Sequence, residues 1–149
     1  MARWQSFAIW KGRWPHWRAE GVTYHVGFKH RRELDESDRH DLFVAMLRAQ
    51  GKKVDYLCLV VLPERTDALL RVVDDQELSD VVEKAKLKAG KAIIKRTGER
   101  FPPFGGESYD RIMRDEQELE TVFLEIVDGP SRARAEAADD WPTLFVAPV

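Results

Sequence analysis

Leu62-Pro63-Glu64-Arg65-Thr66-Asp67-Ala68-Leu69-Leu70 decides how this chain folds. The run before it, Tyr56 to Val61, is wholly apolar and too short for a helix core, so it reads as a strand buried on both faces. Pro63 cannot continue a ladder and marks a turn, after which a second apolar run begins near Asp67 and continues to Val73. Arg65 and Asp67 stand two residues apart. On an extended chain both side chains leave the same face, with Cα atoms roughly 6 to 7 Å apart, so two charged groups converge where the hairpin opens.

Working outward, Val22, Tyr24, Val26 and Phe28 alternate with Thr23, His25, Gly27 and Lys29, the pattern of a half-buried strand. A helix follows from Asp35 or Ser37, carries Leu42, Phe43, Met46 and Ala49 on one stripe, and stops at Gly51. Lys52 and Lys53 lead into the strand from Val54 to Leu62. The clearest helical period comes later: Leu78, Val81, Val82, Ala85, Ala89, Ala92 and Ile93 form one apolar face between residues 76 and 97. Residues 107 to 113 suit a final edge strand, and Asp115 can cap a helix over 116–127 whose buried positions are Leu119, Val122, Phe123 and Ile126. This order predicts an α+β, ferredoxin-like domain with a four-stranded antiparallel sheet, two helices on one face and the last helix near the other. The domain spans residues 22–130, between an N-terminal arm (1–21) and a C-terminal tail (131–149).

Composition narrows the function. The 149 residues suit one domain. Cys58, the single cysteine, excludes an internal disulfide and a cysteine-based zinc cluster. There is neither an apolar run of membrane-spanning length nor a signal-peptide core, which predicts a soluble, cytoplasmic protein with no membrane partner. A net charge of −2 argues against a general duplex coat, so any nucleic-acid surface must be local. Two stretches offer one. Trp4, Trp10, Trp14 and Trp17 interleave with Arg3, Lys11, Arg13 and Arg18, a mixture that either stacks bases and neutralises phosphate or packs the arm onto the domain. Lys84, Lys88, Lys91 and Lys95 follow Glu77 and Asp80 along the 76–97 helix; a solvated face ordered by the helix dipole accounts for them, and phosphate contact is the alternative.

Four stretches, in order, resemble the REP-associated tyrosine transposases, single-strand DNA transposases of the HUH superfamily. Pro15-His16-Trp17 with Gly21 and Tyr24 is similar to the family's entry into its first strand, and Leu62 to Leu70 to its hairpin, which reads roughly Leu/Met-Pro-Glu/Asn-His-hydrophobic-His. Glu107 to Glu116 resembles the stretch before the last helix, and Asp140-Trp141-Pro142 the terminal Asp-Trp-Pro. The resemblance implies a transposase-like fold, a divalent metal such as Mg²⁺ held by the two histidines, and a nucleophilic tyrosine followed four residues later by an asparagine or glutamine ligand. Here Arg65 and Asp67 stand at the histidine positions, Glu125 at the tyrosine and Gly129 at the amide.

That substitution pattern removes the chemistry. Guanidinium has no free lone pair for a metal, and a carboxyl-phosphate anhydride at Glu125 would hydrolyse where a phosphotyrosine persists. An Arg65 ion pair is expected in place of the metal, with no cofactor. Tyr109, the nearest spare tyrosine, belongs to the pre-helix motif; His25 shares the outward face of the first strand with Lys29, where a lone histidine is more often structural or simply exposed than a site residue. Three readings follow: a transposase-like protein that binds single-stranded or hairpin DNA through Arg13, Trp14, Trp17, Arg18 and the lysine run without cutting it; a protein–protein interaction module on the same fold; or an endonuclease with a site rebuilt from the carboxylates Asp67 and Glu125. The resemblance is compatible with a monomer or a homodimer.

Overall fold

The computed structural model describes residues 22–105, 107–130 and 141–147. The chain runs β1 (Tyr24–Lys29), α1 (Glu36–Leu47), β2 (Val54–Val61), β3 (Arg65–Val72), α2 (Leu78–Thr97), β4 (Tyr109–Ile112), α3 (Glu116–Val127) and β5 (Leu144–Val146). The strands form one sheet in the order β4-β1-β3-β2-β5, with every neighbouring pair antiparallel.

The sheet has five strands, which corrects the four-stranded ferredoxin-like expectation. The additional strand comes from Leu144–Val146, within the segment expected to be a tail, and pairs with Cys58, Leu59 and Val60. The reason lies in β2. All but one of its residues are fully buried, and an apolar strand left at a sheet edge would offer its unpaired backbone to other chains. Three residues are too few to register as a period in sequence.

Each face of the sheet has its own core. Val54, Tyr56, Leu59 and Val61 of β2 turn toward α1 and α2 and join Val26, Phe28, Leu42, Met46, Val82 and Ile93. Leu57, Cys58, Val60 and Leu62 turn the other way, toward Leu119, Phe123, Ile126 and Trp141. Leu57 and Cys58 share a face because the register slips between Tyr56 and Cys58, a one-residue bulge opposite Leu69. Thus α1 and α2 cover one side of the sheet and α3 the other, as the stripes on the helices predict.

Local signals set the helix ends. Asp35 caps α1 by accepting from the Asp38 amide, and Asp38 returns the bond to the Asp35 amide. The Asp38 carboxylate is fully buried and also accepts from Arg32 and Arg96, so the start of α1 is clamped to the end of α2. Asp115 caps α3 through the Glu118 amide. α2 ends at Gly98, whose φ of 77° is the left-handed conformation glycine adopts without strain. No described helix is long and apolar enough to cross a membrane.

Trp141 pins the C-terminal segment to the sheet. Its ring is buried in the α3-side core, and its Nε1 donates to the Val61 carbonyl at 3.0 Å. Trp141→Ala should lower stability by about 3 to 5 kcal/mol in urea denaturation, because the cavity and the lost bond fall in the same place. A loss below about 1 kcal/mol would show that the segment does not support the sheet.

Candidate nucleic-acid interface

The site is built across three strands around a residue without a side chain. In the sheet Gly27 lies opposite Asp67 of β3 on one side and Tyr109 of β4 on the other. A Cβ at Gly27 would come within 2.6 Å of Asp67 Oδ1 and 2.9 Å of the Tyr109 ring and hydroxyl, so only glycine lets the flanking side chains lean together. Over this gap Arg65 Nε donates to Asp67 Oδ2 at 2.6 Å and its Nη2 to Oδ1 at 3.0 Å, a bidentate pair within one strand. His25 Nε2 lies 3.0 Å from Asp67 Oδ1 and 3.3 Å from the Tyr109 hydroxyl, which also accepts from Arg65 Nη2 at 3.3 Å.

The electrostatics are those of a closed cluster. Asp67 is 9 % exposed, and Arg65 and His25 together engage both its oxygens. The Asp67 bond holds the Arg65 guanidinium's pKa above even its ordinary value. Burial, reinforced by the Asp67 charge, raises the pKa of the Tyr109 phenol against the opposing pull of Arg65. Tyr109 is therefore harder to ionise than a free tyrosine, the reverse of what a nucleophile needs. Both Tyr109 and Asp67 approach the same nitrogen of His25, and the buried Nδ1 has no hydrogen-bond partner among the described residues. A relay that takes the tyrosine proton at one ring nitrogen and is oriented by a carboxylate at the other is not formed. Among the described residues, no three His, Cys, Asp or Glu side chains converge as a metal site would need.

All four positions singled out by the hairpin and the last helix meet here. Arg65, Asp67, Glu125 and Gly129 line one cleft of about 310 Å³ between the sheet and α3, beside His25 and Arg111. A larger groove, about 640 Å³, adjoins it past the end of β1. The two share Arg65 and Tyr109 as a common wall, and the groove adds Lys29, His30 and Arg31. Tyr109 is 45 % exposed and Arg111 is paired with Glu118 at 2.8 Å. Its floor is held from below: the Lys86 ammonium lies 4.4 Å over the Phe28 ring and donates to the Gly105 and Glu107 carbonyls.

The other candidates lie elsewhere. Lys84, Lys88, Lys91 and Lys95 are exposed on α2, in the helical layer on the opposite side of the sheet. Arg13, Trp14, Trp17 and Arg18 fall outside the described residues. Sequence reasoning did not find Lys29, Arg31 and Arg111, because strand charges acquire meaning only when the strand order is known. The pairing of Gly27 with both Asp67 and Tyr109 was the missing information.

No protein-family model matches the chain. No curated protein matches it either. Among solved structures, a REP-associated tyrosine transposase bound to a REP hairpin superposes with a TM-score of 0.65 at 15 % identity, over 83 % of this chain and 76 % of that one. A protein of Deinococcus radiodurans R1, provisionally classed as a transposase, gives a TM-score of 0.46 at 15 % identity, over 72 % of this chain and 88 % of that one. The first likeness is one of fold, and the chain has a transposase-like α+β architecture.

Two outcomes follow from this geometry. Gly27→Ala must push Asp67 and Tyr109 apart, and Asp67 is pinned by Arg65 and His25; the variant should lose about 1 to 3 kcal/mol in urea denaturation. An unchanged midpoint would mean that the cluster is loose. The second outcome concerns His30, which lies against the Pro63 carbonyl at 2.9 Å and the Thr66 hydroxyl at 2.8 Å. Burial lowers its pKa below the ordinary 6.5, against the opposing effect of the Pro63 bond. The folded protein therefore binds a proton at His30 less readily than the unfolded chain. The stability this contributes is present above 6.5 and is lost as the pH falls toward the lowered value. Between pH 7.5 and 5.5 the wild type should lose more stability than His30→Gln, measured by urea midpoints; equal losses would remove His30 as the cause.

Proposed function

We propose that the chain binds unpaired DNA, free or next to a hairpin, in the trough made by the cleft and the adjoining groove, and that it does so without cutting the strand. The observation that carries this reading is the shared wall: Arg65 and Tyr109 stand between two connected cavities whose rims carry Lys29, Arg31 and Arg111. Aromatic faces stack bases of any identity, and cations beside them hold the backbone, which is the combination that single-strand binding requires. The fold neighbour bound to a REP hairpin supports the same class of ligand.

The absence of cutting rests on the state of the cluster. With Arg65 on both oxygens and His25 beside Oδ1, most of the Asp67 acceptor capacity is taken and a fixed positive charge already lies against it, which weighs against a hard cation there. Glu125 lines the cleft where a tyrosine would be needed, and the raised pKa of Tyr109 does not favour a phenolate there. These facts weigh against an endonuclease rebuilt on Asp67 and Glu125. The interaction-module reading draws on the short β4 edge, where Ile112 is exposed, and a homodimer through that edge belongs to the same reading.

One titration separates them. A fluorescent oligonucleotide with unpaired bases should bind at low salt, and Tyr109→Ala should weaken it by about 1 to 3 kcal/mol, the usual worth of one stacked base. Lys29→Gln and Arg31→Gln should each flatten the salt dependence by about 0.7 units. No nicked product is expected with Mg²⁺ or Mn²⁺. Failure to bind any unpaired DNA would leave the interaction module, and metal-dependent nicking would restore the endonuclease.

A further inference from the structure

A second surface stands out by its unneutralised charge. Arg48 after the end of α1, Lys52 and Lys53 in the turn to β2, and Lys84 and Lys88 of α2 line one open groove of about 200 Å³, with no acidic side chain in its lining. Among the described residues none of these five cations forms an ion pair, whereas Arg32, Arg65, Arg71, Lys86, Arg96, Arg111 and Arg114 all do. Lys84 crowds Lys53 closely enough to push its pKa below the ordinary lysine value. The C-terminal end of α1 supplies an opposing charge of only about one half, far short of five. Like charges held together without a counter-charge are relieved by an anion.

We infer that this groove seats the backbone phosphates of a DNA duplex, as a binding surface separate from the trough. The inference rests on the reading of the chain as a DNA-binding protein and adds a second contact of different specificity. The floor, made by Ala45, Ala49, Val81 and Ala85, carries no side-chain donors for base edges, and no aromatic ring is present to stack an unpaired base. At about 200 Å³ the groove is smaller than the sites that enclose small molecules, although it can cradle a phosphate. Lys91 and Lys95 continue the Lys84–Lys88 stripe along α2. From Lys84 to Lys95 the helix rises roughly 16 Å, a length matched by about five steps of one DNA strand. The groove sits near the start of β2, in the layer of α1 and α2; the trough sits near its end, with its cleft on the side of α3. That separation is roughly 26 Å along the strand, so the two surfaces can be occupied at once.

Anisotropy titrations with two probes, a blunt fully paired duplex and an unpaired oligonucleotide of the same composition, test the inference. The groove variant Lys52→Gln/Lys53→Gln/Lys84→Gln should keep its far-ultraviolet spectrum and melting temperature, since all three side chains point to solvent or its margin. Its duplex affinity should fall at least tenfold at low salt and its salt slope should flatten by about three units, while affinity for the unpaired strand stays within twofold. Tyr109→Ala should give the converse. Wild-type protein that binds the unpaired strand but not the duplex overturns the groove and leaves the trough standing. Protein that binds only the duplex overturns the trough and leaves the groove. Equal weakening of both probes in the groove variant makes the two surfaces one and refutes their separation, and full displacement of the duplex by inorganic phosphate at matched ionic strength assigns the groove to a free anion instead.

Discussion

A strand buried on both faces organises this molecule. β2 has one polar residue, Asp55, and everything else along it must be covered from two sides and paired along both edges. α1 and α2 satisfy one face, α3 and Trp141 the other, β3 one edge and β5 part of the second. Had the strand alternated, one face could have stayed in water and neither α3 nor the C-terminal segment would have had a surface to bury. The cleft exists because α3 is required there.

Within that frame the site follows from a missing Cβ. Gly27 lets a carboxylate from β3 and a phenol from β4 lean over β1, and the resulting cluster is a compact arrangement of opposite charges with a histidine at its margin. Burial makes each member depend on the others. Asp67 needs Arg65, because a lone carboxylate in that position would lose its solvation without return. Partial burial and the Asp67 charge raise the pKa of Tyr109, so its phenol stays protonated beside the ion pair.

Much of this was legible in the sequence, for identifiable reasons. The apolar stripe from Leu78 to Ile93 and the caps at Asp35 and Asp115 are local signals, and local signals place helices. The proximity of Arg65 and Asp67 needed only the two-residue period of a strand. β5 was illegible because three residues carry no period, and its existence depends on an edge created by β2, some eighty positions earlier. His25 and Tyr109 could be noticed singly. Their meeting at Asp67 depends on β1 lying between β3 and β4, which is a property of the assembled sheet. Likewise Arg48, Lys52 and Lys53 look like ordinary turn charges until α2 is laid beside them.

The bulge at Leu57 bears on how the chain tolerates changes in length. Two residues of β2, Leu57 and Cys58, oppose Leu69 alone, so the strand carries one unit more than its partner. Removing Leu57 would leave a regular ladder in which every other side chain keeps its layer; its cost is the void left by one buried leucine. Removing any other residue of the strand instead exchanges the layers of the residues between that position and 57. Position 57 is thus the point in the sheet where a family of such chains could gain or lose a codon without turning its interior inside out.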